Sequence, residues 1–359
     1  MSVSQAPARS FWVNTWEARV HPMVLSATAW RVGLCLVAAV WTGWASYDWA
    51  GARYNAYSDF AQLWFAARGL LAGESPYTVV GPGRAFDWPF QLLYPLPAVL
   101  LATPLSMFPL RVADALFMTA GAFALAWAVT RNRLLSAQWW VFCSIAFQTT
   151  LGVSQWSPLL IGAATVPALG FILASKPTIG FALWLAYPSR RAALVAGSFV
   201  GASLLIWPPW LGEWWQSLAT VTHMAAPIAH VRYGGPLILL ALLKWRRPEA
   251  RLLAALACVP QSMFFYEALP LFLVVRRWYE GLGLCILNLV AMLNSPTGSP
   301  YDGAYDAWVY STGDQIVLWM YLPCVVAVLC RPNVSTAASR TADSRERADS
   351  AFVGEELRV

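Results

Sequence analysis

The stretch "RYNAYSDFAQLWFAARGLLAGESPY" (residues 53–77) follows the first long apolar run of the chain and combines aromatic with charged residues. From Asp59 onward apolar side chains recur at three- and four-residue spacing, which is typical of one face of a helix. These side chains are Phe60, Leu63, Trp64, Ala67, Leu70 and Leu71. A helix of this length suits the membrane interface better than the membrane core. The stretch therefore predicts an amphipathic interfacial helix over 59–71.

The composition decides what surrounds this helix. Hydrophobic residues make up 58% of the 359-residue chain, charged residues only 12%, and the mean hydropathy is +0.52. An ordinary soluble domain carries about 25% charged residues. Because one water-soluble core cannot bury this much apolar surface, lipid must be the solvent for much of the chain. We expect an all-α, polytopic membrane protein.

Charge and cysteine usage exclude several other classes. Of 24 basic residues, only Lys176 and Lys244 are lysines, and the arginines cluster between apolar runs. Such clusters are topology signals, and they do not form the basic stripe of a nucleic-acid binder. The six cysteines lie in or at the ends of apolar runs and show no CxxC spacing. We therefore expect no disulfide framework, no zinc site and no nucleic-acid partner.

The basic residues also predict an orientation in the plasma membrane. Segment 1–26 is basic and lacks a signal-peptide pattern, so we expect it in the cytoplasm, followed by a first span over 28–47. The transmembrane domain should cover 27–330, and the polar tail 331–359 should be a disordered cytoplasmic segment. The expected outer loops are 48–91, 210–233 and 295–313.

Further apolar runs give about 11–12 transmembrane helices in total. The run 250–275 has basic residues at both ends and Pro260-Gln261 near its middle, which predicts a hairpin of two short helices. This topology puts Arg131 and Arg133 outside, against the positive-inside tendency. Prolines at 95, 97, 104 and 109 interrupt the run 83–110. Because broken helices persist in lipid only where protein or a cavity satisfies the backbone, this run should line a cavity.

Asp59 is the first candidate for chemistry. With Gln62 three residues later it reads as a helix N-cap in a variant capping box, and a purely structural cap is one interpretation. The other uses the same geometry: the positive end of a helix favours an ionised carboxylate, and the membrane surface brings a hydroxyl substrate to it. A carboxylate there can accept a proton from that hydroxyl.

Four more residues on the predicted outer side are candidates for substrate binding. Lys176 is a compact charge suited to phosphate, although a lysine at an interface can also simply snorkel. Arg84 precedes the proline-rich run and can pair with phosphate or be solvated. His223 shares a loop with His230, and Glu267 is a carboxylate at membrane depth, which is costly unless paired or functional.

Several stretches together resemble glycosyltransferase family 87, a group of GT-C-fold membrane enzymes that use polyprenyl-phosphate sugars. They are "SDFAQLWFAARGLLAGESPY", "YPLPAVLLATPLSMFPL" followed by Ala113, and "SKP". The resemblance covers residues 30–270 in order and is strongest over 57–110. It implies a GT-C-like helical bundle whose essential Asp in the first outer loop is Asp59.

The resemblance also assigns roles by position. Asp59 becomes the general base, the Tyr-Pro element falls on Tyr94, and the Lys-Pro element falls on Lys176. Gln62 and Tyr77 from the opening stretch complete the expected donor-binding set. The chain departs from the family at Leu96, where a second proline is common, at Ser154-Gln155, where Gly-Gln is usual, and in "VPQSMFFYE", which has no histidine. These departures leave the sugar and the acceptor open.

No glycine-rich nucleotide loop occurs in the chain, which fits a lipid-linked donor. The expected function is transfer of mannose or another hexose or pentose from polyprenyl phosphate to a lipid or glycan acceptor at the outer face. No cofactor is expected, and the sequence leaves the metal requirement open. A transporter or lipid flippase of envelope biogenesis is the main alternative, and a non-catalytic scaffold is a third. Transporters usually carry ionisable residues at mid-membrane, whereas these apolar runs are almost free of them.

Overall fold

The computed structural model describes residues 10–52, 57–131, 136–222, 224–296 and 305–332, and it is mostly helical. The α-helices are α1 (Ser10–Ala52), α2 (Asp59–Leu71), α3 (Pro76–Val79), α4 (Leu96–Ala102), α5 (Leu110–Val129), α6 (Ile145–Val153), α7 (Ser157–Thr165), α8 (Gly170–Leu173), α9 (Pro177–Ala186), α10 (Arg190–Ile206), α11 (Trp210–Ala219), α12 (Pro248–Cys258), α13 (Trp278–Leu293), α14 (Tyr305–Ile316) and α15 (Leu322–Leu329). Strands β1 (Val80–Gly81) and β2 (Phe86–Asp87) form a short parallel pair.

Other helical segments of the described chain are 3₁₀ or π helices, which are wound more tightly or more loosely than an α-helix. The 3₁₀ segments are Leu105–Met107, Ala137–Cys143, Pro167–Leu169, Pro227–Ala229, Val231–Tyr233, Gly235–Lys244 and Phe265–Val274. A π-helical segment, Val317–Tyr321, joins α14 to α15 into one continuous helix. The tail predicted for 331–359 lies outside the described residues from 333 onward.

Within the part of the chain that the structure describes, two helices are long and apolar enough to cross a membrane. They are α5 and the continuous helix Tyr305–Leu329; the pair α10–α11, bent by 102°, adds a third if it is one span. The expectation of a helical membrane protein is consistent with this, and the number of 11–12 spans stays a prediction. Many of the other apolar runs form helices of ten residues or fewer because proline and glycine interrupt them.

The helices run between two ends of the molecule. Helices α1 and α5 pack antiparallel, since Arg31 donates to the Trp127 carbonyl (2.7 Å) and Arg111 donates to the Tyr47 carbonyl (2.7 Å). Ser58, just before α2, donates to Asp114 in the first turns of α5 (2.6 Å). The start of α5 therefore lies at the same end as Asp59, which we call the site end.

The opposite end gathers basic residues, and we call it the arginine end. The pKa of Tyr187, just after α9, is raised to about 12, first by burial and then by Glu249, while Arg276, Arg131 and Arg251 oppose the shift. Helix α5 leads away from the site end, and Gln138 shortly after it donates to the Val275 carbonyl (3.4 Å), next to Arg276. Arg131 therefore lies at the arginine end, and the expectation that it lies at the same end as Asp59 is wrong. Arg133 lies outside the described residues.

The prolines of the run 92–109 explain why Arg131 lies at the arginine end. Instead of crossing, the run 92–109 forms the seven-residue α4 and the turn Leu105–Met107, which stay beside α2: Trp64 donates to the Phe108 carbonyl (3.0 Å). The chain thus makes one crossing fewer before α5 than the apolar runs predict. Since α5 then runs from the site end to the arginine end, Arg131 joins the other arginines.

The hairpin predicted for 250–275 is confirmed. Helix α12 and the 3₁₀ helix Phe265–Val274 are separated by a turn that forms a bridge between Gln261 and Ala225. Their far ends meet at the arginine end, where Glu249 pairs with Arg276 (2.5 Å) and Arg331 (3.2 Å). Glu267 consequently sits near the hairpin tip, at the site end.

The apolar run 157–174, which is one of those counted toward the predicted 11–12 transmembrane helices, does not form a single span. It divides into α7, the turn Pro167–Leu169 and the four-residue α8, and α7 is only nine residues long. Nine helical residues rise about 14 Å, roughly half the thickness of a bilayer core. Gln155 before α7 and Lys176 after α8 approach to 3.2 Å, so the run returns to the end from which it started.

The ion pairs of Glu249 predict where the fold is vulnerable. Glu249→Gln should lower the free energy of unfolding in detergent by about 2 to 3 kcal/mol, because Arg331 is nearly buried and loses one of its two carboxylate partners. The exposed Glu74→Gln makes the same chemical change as a control. Equal unfolding curves for the two variants would show that the Glu249 pairs do not hold α15 to the hairpin.

Candidate active site

A cavity of about 270 Å³ opens at the site end of the molecule. Of the eight predicted site residues, five line it: Asp59, Gln62, Tyr94, Lys176 and Glu267. Aromatic side chains form much of the remaining wall: Trp88, Phe90, Trp214, Tyr266 and Tyr305. A few charged groups inside an aromatic enclosure are typical of a small-molecule site. The proline-interrupted run 83–110 lines this cavity, as its sequence predicts.

Helix α2 carries Asp59 into the cavity, and its bounds agree with the predicted 59–71. The capping-box interpretation is wrong, because the N-cap is Ser58 and Asp59 is the first helical residue. The Ser58 hydroxyl makes no cap bond and donates to Asp114 instead. Phe60 stacks on Phe117 of α5 (ring centroids 4.6 Å apart), which fixes α2 against the bundle. The helix N-terminus then favours the ionised form of the Asp59 carboxylate.

Gln155 joins the charged groups of the cavity. Its side-chain amide donates to the Asp59 carboxylate and accepts from Lys176 (3.2 Å) and from the Tyr94 hydroxyl (3.3 Å). Ser154 ends α6 in the left-handed conformation (φ 54°) and turns the chain so that Gln155 points inward. In the sequence, Ser154-Gln155 stands out only as a departure from Gly-Gln. The glutamine of that pattern is the one sequence signal that points to a role for Gln155 in the site.

Lys176 and Glu267 form a buried ion pair. The Lys176 ammonium lies 2.6 Å from the Glu267 carboxylate, and the two side chains are 14% and 5% exposed. Lys176 directly precedes α9, and the positive N-terminal end of a helix disfavours a cation. The Glu267 carboxylate therefore offsets both the ammonium charge and the positive helix end. Ser262 also donates to Glu267 (3.3 Å), and one Glu267 oxygen has no hydrogen-bond partner among the described residues. A buried ion pair of this kind is costly and typical of a functional site.

Tyr94 lines the cavity, and Tyr77 lies behind it. Burial, followed by the charges of Asp59 and Glu267, holds the pKa of Tyr94 well above its ordinary value. Its hydroxyl therefore stays protonated at neutral pH and acts as a hydrogen-bond donor. Tyr77 does not line the cavity; its hydroxyl donates to the Tyr94 carbonyl (3.2 Å) and supports that wall from behind. Burial likewise raises the pKa of Tyr77.

Arg84, another predicted site residue, is not brought to the cavity. Arg84 is exposed, and its guanidinium donates to the Thr78 carbonyl (3.3 Å) rather than entering the site. His223 lies outside the described residues. Its loop partner His230 is buried and pairs with Asp314 (2.8 Å), a carboxylate that sequence spacing did not connect to it. Among the described residues no group of three or more His, Cys, Asp and Glu side chains could hold a metal ion.

The aromatic wall was not predicted as part of the site. Trp214 belongs to α11, which turns sharply from α10 and lies across the site end. Its indole donates to the Leu93 carbonyl (2.9 Å), so the ring is fixed in orientation. Phe90 contacts Tyr305 at 4.9 Å between ring centroids and closes the wall against α14. No single-sequence signal distinguishes these rings from the many others in a chain with 21 tryptophans.

The chain matches no family model, no curated protein and no solved structure. The resemblance to glycosyltransferase family 87 therefore stays a hypothesis that rests on the motifs quoted above.

Close packing of α8 on α9 positions Lys176, and Gly180 makes it possible. A Cβ at Gly180 would lie 2.1 Å from the Leu173 carbonyl oxygen. We expect Gly180→Ala to lower the free energy of unfolding by about 2 kcal/mol through overpacking. Gly201→Ala is the matched control, since nothing lies within 4 Å and alanine favours the helix by up to ~1 kcal/mol. If detergent unfolding gives both variants the same stability, this contact is not tight.

Proposed function

We propose that the protein is a GT-C-type membrane glycosyltransferase that moves a sugar, mannose or another hexose or pentose, from a polyprenyl-phosphate donor to a lipid or glycan hydroxyl. One observation carries the proposal: Asp59 and Lys176, far apart in sequence, meet on one amide, Gln155, inside the cavity. A base for a hydroxyl and a cation for a phosphate are the two groups that this reaction needs.

Asp59 and Lys176 have separate roles in the proposed reaction. The acceptor hydroxyl oxygen attacks the anomeric carbon, and the bond from that carbon to the donor phosphate oxygen breaks. Asp59 takes the proton of the hydroxyl, and polyprenyl phosphate leaves with the electron pair of the broken bond. Lys176 faces the developing negative charge on that phosphate. Since the donor already carries a good leaving group, the protein mainly orients the reactants and accepts one proton.

The aromatic wall supports a sugar as the transferred group. Flat apolar faces of a pyranose pack on rings such as Trp214, whose orientation its hydrogen bond to Leu93 fixes. The volume of about 270 Å³ is small for a long polyprenyl chain. We infer that the sugar and the phosphate occupy the cavity while the prenyl chain extends into the lipid.

The positive-inside tendency gives the proposed orientation. With the arginine end in the cytoplasm, Arg131 no longer opposes the rule, and the cavity opens on the periplasmic or exterior side of the plasma membrane. The chain would enter and leave the membrane bundle on the cytoplasmic side. A GT-C-like bundle with α2 at the outer interface belongs to this proposal, with fewer passages than the predicted 11–12, because 92–109 and 157–174 do not cross.

Asp59→Asn tests the proposed base. In membranes reconstituted with a polyprenyl-phosphate-linked sugar and a lipid extract as acceptor source, this variant should lose at least 100-fold of the transfer rate, as removal of a general base does. Transfer is measured by mass spectrometry of the lipids and glycans. Lys176→Met should also reduce the rate, because the departing phosphate loses its counter-charge.

The exposed Glu74→Gln is the matched control, since it makes the same kind of change in the same predicted loop away from the cavity. Full transfer by Asp59→Asn would remove Asp59 from the mechanism. Movement of the lipid-linked sugar across sealed vesicles, with no new glycosidic bond, would support the transporter or flippase instead.

A further inference from the structure

We propose that Gln155 is a positioning residue that couples the charge of Lys176 to the carboxylate of Asp59. The inference rests on the proposed function in one respect, namely that Asp59 is the base. It adds that the basicity of Asp59 depends on whether an anion is bound to Lys176, and that the Gln155 amide transmits this effect. The contacts that carry it are the three hydrogen bonds of Gln155.

The orientation of the Gln155 amide is fixed by chemistry. The oxygen and nitrogen of an amide have almost the same shape, so an orientation must be argued from the partners. The Lys176 ammonium can only donate, and an ionised Asp59 can only accept. The oxygen must therefore face Lys176 and the NH₂ group must face Asp59. The flipped amide would oppose two donors on one side and two acceptors on the other.

The backbone holds the amide between these partners. Ser154 lies in the left-handed region, where a residue other than glycine is strained, and the Gln155 backbone amide donates to the Thr150 carbonyl (3.1 Å). Strained residues persist where the surrounding structure fixes them. Gln155 is also only 2% exposed. The side chain therefore has little freedom to leave either Asp59 or Lys176.

Charge passes through such an amide by polarisation. A cation on the oxygen strengthens the NH₂ group as a donor, and a stronger donor favours the ionised form of the carboxylate that accepts from it. Among the described residues that line the cavity, the other ionisable groups are Glu267, Tyr94, Tyr266 and Tyr305. Glu267 and Tyr266 face Lys176, Tyr94 and Tyr266 interact with Asp59, and Tyr305 interacts with Tyr266.

An anion bound at Lys176 reverses this effect. A phosphate there offsets the ammonium charge, so the amide polarises less and the Asp59 carboxylate binds a proton more readily. Asp59 thus becomes a stronger base when the donor is in place. The same coupling keeps it ionised, and ready to accept a proton, when the cavity holds no donor.

The test titrates Asp59 in the protein without donor. Dicyclohexylcarbodiimide modifies protonated carboxyl groups in membranes, and peptide mass spectrometry locates the modified residue. The midpoint of Asp59 labelling against pH reports its protonation. Gln155→Met removes the amide at similar volume and should raise this midpoint by about one pH unit. Ser154→Gly keeps the amide in place and should leave the midpoint unchanged.

A double-mutant cycle separates coupling from a purely structural role. Lys176→Met should raise the midpoint when Gln155 is present and have a much smaller effect in the Gln155→Met background. Because Lys176→Met leaves Glu267 buried without its cation, the cycle is repeated with Glu267→Gln in all four proteins. Gln155→Leu replaces Gln155→Met if the latter does not elute as a single folded species.

An unchanged midpoint in Gln155→Met, or shifts that simply add in the cycle, would overturn the coupling. The outcome is independent of catalysis, since no donor is present. If the midpoints shift as expected while the wild-type protein transfers no sugar, the coupling stands and the proposed function fails. If sugar is transferred but the midpoint shifts of the single variants simply add in the double variant, the proposed function stands and the coupling fails.

Discussion

The Lys176–Glu267 ion pair and the amide of Gln155 are the interactions on which the site depends. Two carboxylates and one ammonium are held in a cavity with aromatic walls, and only one orientation of the amide satisfies Asp59 and Lys176 together. Buried charges of this kind cost free energy unless each is paired. The helices that surround the cavity must therefore meet within hydrogen-bond distance, which ties α2, α6, α9 and the α12 hairpin into one unit.

Interrupted helices supply the side chains of this network. Gln155 follows the end of α6, Lys176 lies between α8 and α9, and Glu267 lies just past the hairpin tip. Uninterrupted spans would bury such positions along helix faces, whereas helix ends expose both side chains and backbone groups to a cavity. The prolines and glycines that shorten these helices thus have a positive role: they place helix ends where polar groups are needed.

The two ends of the molecule use charge differently. At the arginine end, Glu249, Arg276 and Arg331 hold the hairpin to the last helix by paired charges. At the site end, Lys176 is shared between Glu267 and Gln155 and remains within reach of the cavity. The first arrangement stabilises the fold, although one Glu249 oxygen has no hydrogen-bond partner among the described residues. The second also leaves one Glu267 oxygen without a hydrogen-bond partner among the described residues, but here both members of the ion pair line the cavity.

The sequence by itself determined the helical, lipid-compatible character of the chain, the bounds of α2, the hairpin at 250–275 and five residues of the cavity. Each of these follows from local information: periodicity, composition, or a rare charge in an apolar run. It did not determine the side on which Arg131 lies, because whether 92–109 crosses or turns back depends on its packing against α2. Nor did it find Gln155 as the bridge or Trp214 as a wall. Those roles exist only where segments distant in sequence meet, and a polar contact across a folded interior leaves no period or spacing in the chain that encodes it.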